Sequence, residues 1–211
     1  MRISAIATGV GNVQSVVRAL ERVVPGPKQV AVTSDAGVAR RSDVLVVPGQ
    51  GSFGAFAAGI DRGGLRETLL EHVRAGKPYL GICLGLQILF EESEEAPSVF
   101  GLGLLRGKVR RLAPRPDAGQ PRPLPHIGWN VAEPVRASET IVARDHYYFA
   151  HSYAAAPSDE ALTVATTDYG ERFTSAVRKD NVFGVQFHPE KSQRAGLGLL
   201  ERFFASLRGA S

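Results

Sequence analysis

Apolar and polar positions alternate with two different periods along this chain, and the period changes where strands give way to helices. Ile3 to Ala7 is a short apolar run that predicts a first strand. Asn12 then offers an N-cap to a helix whose Val13, Val16, Val17, Leu20, Val23 and Val24 recur at helical spacing on one face. Pro25-Gly-Pro27 stops it. Gln29 to Thr33 and Asp43 to Val47 predict two more strands, the latter ending at Pro48-Gly-Gln-Gly51. Leu65 to Ala75 is amphipathic at helical spacing and closes on Gly76. Tyr79 to Ile82 then predicts a buried strand, followed after one residue by an apolar helix from Leu84 to Phe90.

The second half is dominated by strand patterns: Gly107 to Leu112, Ile127 to Val135, Tyr147 to Tyr153, Leu162 to Thr167, Phe173 to Val177 and Val182 to Phe187. A last helix from Ser192 to Leu207 aligns Leu199, Leu200, Phe203, Phe204 and Leu207. Between Ala113 and Pro125 five prolines in thirteen residues predict an irregular surface loop. Strand–helix alternation followed by strands predicts an α/β fold. Its sheet is open, twisted and mostly parallel, covered by helices on both faces, with antiparallel strands added in the second half.

Composition narrows this further. A chain of 211 residues, 44% hydrophobic, suffices for one substantial core, so residues 1–211 are expected to form one domain. A single cysteine excludes an intramolecular disulfide framework and suits a reducing compartment. No apolar run reaches the length of a membrane span, and the glycine-broken amino terminus does not read as a signal peptide, so a cytoplasmic protein is expected. The formal charge of +4 comes from scattered arginines, and the cluster from Arg106 to Arg115 reads as a solvated loop rather than a nucleic-acid surface. No zinc-ligand spacing and no phosphate loop occur, so no metal site is expected.

The cysteine carries the chemistry. Cys83 follows the predicted strand and precedes the predicted helix, with Gly81 and Gly85 two residues to either side. By default a lone cysteine in an apolar run is a small core hydrophobe. The glycine bracket instead matches a nucleophile elbow, where strand and helix approach too closely for β-carbons. A helix N-terminus also favours a thiolate. About a hundred residues later, Val182 to Phe187 predicts a strand that delivers His188 to the carboxyl edge of the sheet. Pro189 biases His188 towards an extended backbone, in which Glu190 projects to the same side and can orient the ring. Cys83, His188 and Glu190 therefore read as nucleophile, base and orienter. His72, His126, His146 and His151 have no acid so placed.

With these motifs the chain resembles the class I, triad-type glutamine amidotransferases. More narrowly, it is similar to the glutaminase subunits of imidazole glycerol phosphate synthases. The resemblance runs nearly end to end, through Gly9-Val-Gly-Asn12, Pro48-Gly-Gln-Gly-Ser-Phe53, Leu80 to Ser93, Pro125-His-Ile-Gly-Trp-Asn130, Tyr147-Tyr-Phe-Ala-His-Ser-Tyr153 and Phe187-His-Pro-Glu-Lys191. It implies a flavodoxin-like fold, no cofactor, and glutamine hydrolysis through a thioester on Cys83. It further implies an oxyanion hole from the backbone N–H groups of Gln50 and Leu84, with Gly51, Gln87, Glu95, Ser152 and Tyr153 gripping glutamine. The implied partner is a (βα)8-barrel synthase subunit, which receives the ammonia in histidine biosynthesis and docks near Asn12, Trp129, Tyr148 and Lys191. There are two departures from the family pattern: Ala7-Thr8 stands where Asp-Tyr is common, and Gln50 where an aliphatic residue is common.

Other readings remain at this point. The chain could serve a pyridoxal phosphate, anthranilate or purine synthase, or act as a free-standing γ-glutamyl hydrolase. A scaffold that kept the fold without the chemistry is the non-enzymatic alternative, and the intact Cys83, His188 and Glu190 argue against it.

Overall fold

Short apolar strands separated by amphipathic helices bury both faces of a sheet, and the first half of this chain does so. The computed structural model describes residues 1–9, 12–24, 30–117, 120 and 122–208. The predicted helix stop at 25–27 and the first residue of the second predicted strand lie outside them. The chain runs β1 (Ile3–Ile6), α1 (Val13–Val23), β2 (Val30–Thr33), α2 (Ala36–Arg40), β3 (Val44–Gly49), α3 (Phe53–Asp61), α4 (Leu65–Arg74), β4 (Tyr79–Cys83) and α5 (Leu84–Gln87). It continues through β5 (Glu92–Ser93), β6 (Gly107–Arg111), β7 (His126–Pro134), β8 (Asp145–His151), β9 (Tyr153–Pro157), β10 (Thr163–Asp168), β11 (Arg172–Lys179), β12 (Val182–Val185) and α6 (Gln193–Arg208).

Nine strands form one sheet in the order β2-β1-β3-β4-β12-β11-β10-β7-β8. Pairing is parallel from β2 to β12 and antiparallel from β12 to β8. A separate small sheet, β5-β6-β9, takes up the remaining strands. Side-chain alternation along β3 explains the two-sided core. Val44 and Val46 pack with Val16, Leu20, Leu199 and Phe203 of α1 and α6, whereas Leu45 and Val47 pack with Phe53, Phe56, Leu65 and Leu69 of α3 and α4. Asn12 caps α1 as expected, its side chain accepting from the Gln14 amide.

Four features differ from the sequence expectation, each for a visible reason. Two helices, α2 and α3, were not anticipated. The sequence Phe-Gly-Ala-Phe-Ala-Ala-Gly-Ile-Asp of α3 is apolar almost all round and shows no stripe, although Asp35 and Ser52 cap the two helices with side-chain acceptors. The helix after Cys83 is a single turn. Carbonyls from Ile88 to Glu91 accept instead from the amides of Gly101, Leu102, Gly103 and Leu105, which diverts the chain from further helical turns. The expected strand from Tyr147 to Tyr153 splits at Ser152, whose carbonyl accepts from the Leu112 amide and turns β9 into the small sheet. Finally, β12 ends at Val185, two residues earlier than predicted, where the Gln186 amide still donates to the Ser175 carbonyl.

Strand register then decides what meets at the carboxyl edge. Gly49 of β3 pairs with Cys83, and Val185 of β12 pairs with Ile82. Cys83 therefore has the Pro48–Gly51 loop on one side and the residues after Val185 on the other.

Candidate active site

Cys83 occupies backbone that side chains rarely adopt, with φ 54° and ψ −108°. Such a conformation costs on the order of 1–3 kcal/mol and persists only where the surroundings enforce it. Here they do. A β-carbon on Gly81 would lie 2.3 Å from the Gly85 carbonyl oxygen, and one on Gly85 would lie 1.7 Å from the Val47 carbonyl oxygen. Strand and helix are thus in backbone contact around the turn. The buried Tyr79 hydroxyl clamps it further by donating to the Gly85 carbonyl at 2.8 Å. This tyrosine had no motif to announce it.

His188 is buried and donates its backbone N–H to the Tyr148 carbonyl at 2.8 Å. Its own carbonyl accepts from Ser192 Oγ at 2.6 Å, and Ser192 Oγ accepts from the Tyr148 amide at 2.9 Å. The imidazole Nδ1 lies 2.8 Å from Glu190 Oε1. The expected contact is present, but its origin differs from expectation. His188 is extended, whereas Pro189–Lys191 is a 3-10 turn, so a tight turn rather than strand alternation brings the carboxylate back to the ring. Burial alone would lower the His188 pKa, but the nearby Cys83 sulfur and the Glu190 carboxylate outweigh it and raise it to about 10.

A cavity of about 350 Å³ opens over Cys83. Gln50, Gly51, Leu84, Gln87, Glu95, Ser152, Tyr153, His188 and Lys191 all line it, so ten of the sequence-nominated residues, Cys83 included, meet in one place. Gln87 is buried with both amide hydrogens engaged, by the Tyr153 carbonyl at 2.9 Å and Gln186 Oε1 at 3.0 Å. Its Oε1 is buried without a partner. Glu95 is half-buried, and its Oε2 accepts from the Phe53 amide at 2.9 Å. Gly51 has φ 94° with open space around its α-carbon.

The other nominated residues lie elsewhere. Asn12 borders a neighbouring cavity of about 160 Å³ that also touches Gln50, His188 and Glu190. Trp129 and Tyr148 sit directly opposite each other on β7 and β8, with ring centroids 6.1 Å apart. Lys191 joins both regions, lining the larger cavity and holding its ammonium 5.7 Å from the Tyr148 ring centroid. Trp129 is 47% exposed and Ile127 beside it 62%, a conspicuous apolar display on one strand.

The sequence passed over a pair of buried histidines beside the cavity. His151 lines it, and its Nδ1 lies 2.8 Å from the Tyr153 carbonyl, which can only accept. Nε2 of neutral His151 therefore accepts from His126 Nδ1 at 3.4 Å, and His126 Nε2 accepts from Asn130 Nδ2 at 3.3 Å. Burial, helped by the Arg122 charge, lowers the His126 pKa to about 4. Burial, opposed by the bond to Tyr153, lowers that of His151 to about 3. Between those values and about 6.5 the unfolded chain binds more protons than the folded one, so stability is full above about pH 6.5 and falls as pH drops. Each histidine contributes a slope of at most about 1.4 kcal/mol per pH unit. His126→Phe keeps the stacking on Phe149 and Tyr169. It is expected to be less stable at neutral pH, through the lost hydrogen bonds, but to lose less stability on acidification. Urea midpoints at about pH 7 and about pH 4.5 check this, and an unchanged difference between the two would refute it.

Comparison with known proteins agrees with this geometry. The glutamine amidotransferase class-I family profile matches residues 6–207. Imidazole glycerol phosphate synthase subunit HisH from Aromatoleum aromaticum is 47% identical over 96% of this chain and 97% of its own length. The chain belongs to this family. The HisH subunits of Aquifex aeolicus, 46% identical over 96% of each chain, and Methanothermobacter thermautotrophicus, 44% identical over 98% and 99%, are similar to it to the same degree. Among solved structures, a glutamine amidotransferase superposes with a TM-score of 0.73 at 21% identity over 98% of each chain. PurLQS from Thermotoga maritima superposes at 0.70 and 19% identity over 98% of each. At that identity the structural likeness speaks for the fold, which is that of the class I amidotransferases.

Proposed function

We propose that this chain hydrolyses glutamine to glutamate and ammonia on Cys83. It delivers the ammonia to a (βα)8-barrel subunit that makes imidazole glycerol phosphate and aminoimidazole carboxamide ribotide in histidine biosynthesis. The observation that carries this reading is the cavity in which Cys83 and His188, the latter held by Glu190 behind it, face Gln87, Glu95, Ser152 and Tyr153, in a chain matching HisH subunits over nearly its whole length. The chain acts as one amidotransferase domain in the cytoplasm, consistent with a free, buried cysteine. Among the described residues no helix is long and apolar enough to cross a membrane.

The chemistry follows from the geometry. The Cys83 sulfur attacks the carboxamide carbon, and the carbonyl electron pair moves onto oxygen. Backbone N–H groups of Leu84, directly after the nucleophile, and of Gln50, on the loop that β3 register brings beside Cys83, receive that oxyanion. The imidazolium of His188 gives its proton to the departing amine, and the neutral ring then activates water against the thioester. Glu190 holds Nδ1 and supports the charge on the ring. Gln87 Oε1 and Glu95 can only accept hydrogen bonds, so they suit the α-ammonium of glutamine, and the Ser152–Tyr153 segment suits its α-carboxylate.

Docking uses the Trp129–Tyr148–Lys191 face with Asn12 at its side. The exposed indole supplies apolar area, and the ammonium held over Tyr148 supplies charge next to the cavity. Gly49 and Gly51 flank the Gln50 peptide, so that peptide reorients at low cost and the oxyanion hole need not be complete in the isolated subunit. A missing donor costs roughly a hundredfold in rate. The purified subunit is therefore expected to turn over glutamine feebly, and to be activated about a hundredfold or more by the barrel subunit with its substrate bound. Full activity in isolation would overturn the coupling and favour a free-standing hydrolase.

A further inference from the structure

Gln186 is fully buried just past the end of β12, and nothing in the Cys83–His188–Glu190 chemistry accounts for it. Its side-chain nitrogen lies 3.6 Å from Cys83 Sγ. The two faces of a glutamine amide are told apart by their partners, and here the assignment starts from a group with no freedom. The Tyr153 carbonyl can only accept, so the Gln87 atom 2.9 Å from it is nitrogen. That same nitrogen lies 3.0 Å from the Gln186 side chain and donates there too, so the Gln186 atom it meets is oxygen. The NH2 group of Gln186 is then left facing the sulfur. Strand register makes the meeting unavoidable: Val185 pairs with Ile82, so the next residue on that chain comes abreast of Cys83.

We propose that Gln186 is a catalytic residue whose side-chain N–H donates to the Cys83 sulfur and holds it as thiolate, oriented by Gln87 and the Tyr153 carbonyl. This rests on Cys83 being the nucleophile. In the thiolate form the sulfur accepts from Gln186 on one side while the His188 imidazolium balances its charge. When the sulfur–carbon bond forms, the negative charge passes to the carboxamide oxygen and the bond from Gln186 weakens. When water attacks the thioester and the carbon–sulfur bond breaks, the electron pair returns to sulfur and Gln186 again receives it as a leaving group. Gln186 thus acts at both ends of the cycle. A donor to a thiolate raises the thiolate fraction and lowers its intrinsic nucleophilicity only in part, so the gain dominates at low pH and fades at high pH. Gln87 links this to substrate: its amide hydrogens hold Gln186 and Tyr153, and its unpartnered Oε1 is left for glutamine.

The chain's only cysteine makes the test direct, because alkylation of the full-length chain by iodoacetamide reports on Cys83 alone. Gln186→Met keeps length and bulk while removing the donor. Its alkylation is expected to be roughly tenfold slower than wild type at mildly acidic pH, with the difference closing at alkaline pH. For glutamine turnover, kcat should fall on the acid side of the profile while KM stays near that of wild type. Equal alkylation rates across the pH range, or a uniform slowing at every pH, would overturn the proposal. Should the variant not fold, the wild type still decides. The Gln186 side-chain amide protons should move upfield in NMR spectra when Cys83 is modified with methyl methanethiosulfonate, which caps the sulfur with a small apolar group, and unmoved signals would refute the contact. Failure of the underlying reading looks different: glutamine turnover would survive alkylation of Cys83.

Discussion

Cys83→Ala is expected to abolish glutamine hydrolysis, by about ten-thousand-fold or more, because no other nucleophile lines the cavity in the same position. The complex with the synthase subunit should still make product when ammonia is supplied directly, since that route bypasses the thioester. Two further consequences follow from the local electrostatics. The sulfur charge is the first of the influences holding the His188 pKa above its ordinary value against burial, so without it the ring should lose its proton at lower pH. Removing one sulfur atom from a 5% exposed site costs little volume, so urea unfolding should change only modestly. Glutamine-dependent and ammonia-dependent product formation by the same preparation give the decisive ratio. Unaltered glutamine turnover would remove Cys83 from the mechanism.

The second large effect is steric. Gly85→Ala places a β-carbon 1.7 Å from the Val47 carbonyl oxygen, a backbone atom of the central strand β3 that cannot rotate away. The helix after Cys83 must move off the sheet, which breaks the Tyr79–Gly85 bond and the strained turn together. We expect a loss of about 3 kcal/mol or more, or failure to fold, along with loss of activity. Gly76→Ala is the matched control. Gly76 has φ 74° but open space around it, so the same methyl group should cost only about 1 kcal/mol and leave glutamine turnover intact. Urea denaturation of both variants separates close approach from backbone conformation. Equal losses would show that the elbow is not held by contact with β3.

These two expectations differ in how visible they are from the chain alone. The elbow is local: the close approach of strand and helix demands glycine two residues before and two after Cys83, and that demand is written into Gly81 and Gly85. His188, Pro189 and Glu190 are likewise consecutive, so their contact needs only a turn, although the turn proved to be 3-10 rather than extended. The apolar stripes of α1, α4 and α6 were legible because one face of each meets the sheet and the other meets water. By contrast, α3 is apolar on nearly every side, and the early end of α5 depends on the amides of Gly101, Leu102, Gly103 and Leu105, well beyond a helical turn away.

By itself, then, the sequence determined the parallel α/β half, the glycine-bracketed turn at Cys83 and the His188–Glu190 contact, because each rests on short-range sterics or on a two-sided periodicity. It also nominated the residues that crowd the cavity, through motifs shared with a family rather than through spacing. Only the tertiary structure decided that β12 lies beside β4 in a register that sets Gln186 against Cys83. It alone decided that His126 and His151 share one proton chain, and that Tyr79 clamps the elbow. Those contacts join residues that are distant in sequence or set by strand pairing and chain direction. Neither periodicity nor composition records which strand lies next to which, and for that reason the second rank of this site became visible only in three dimensions.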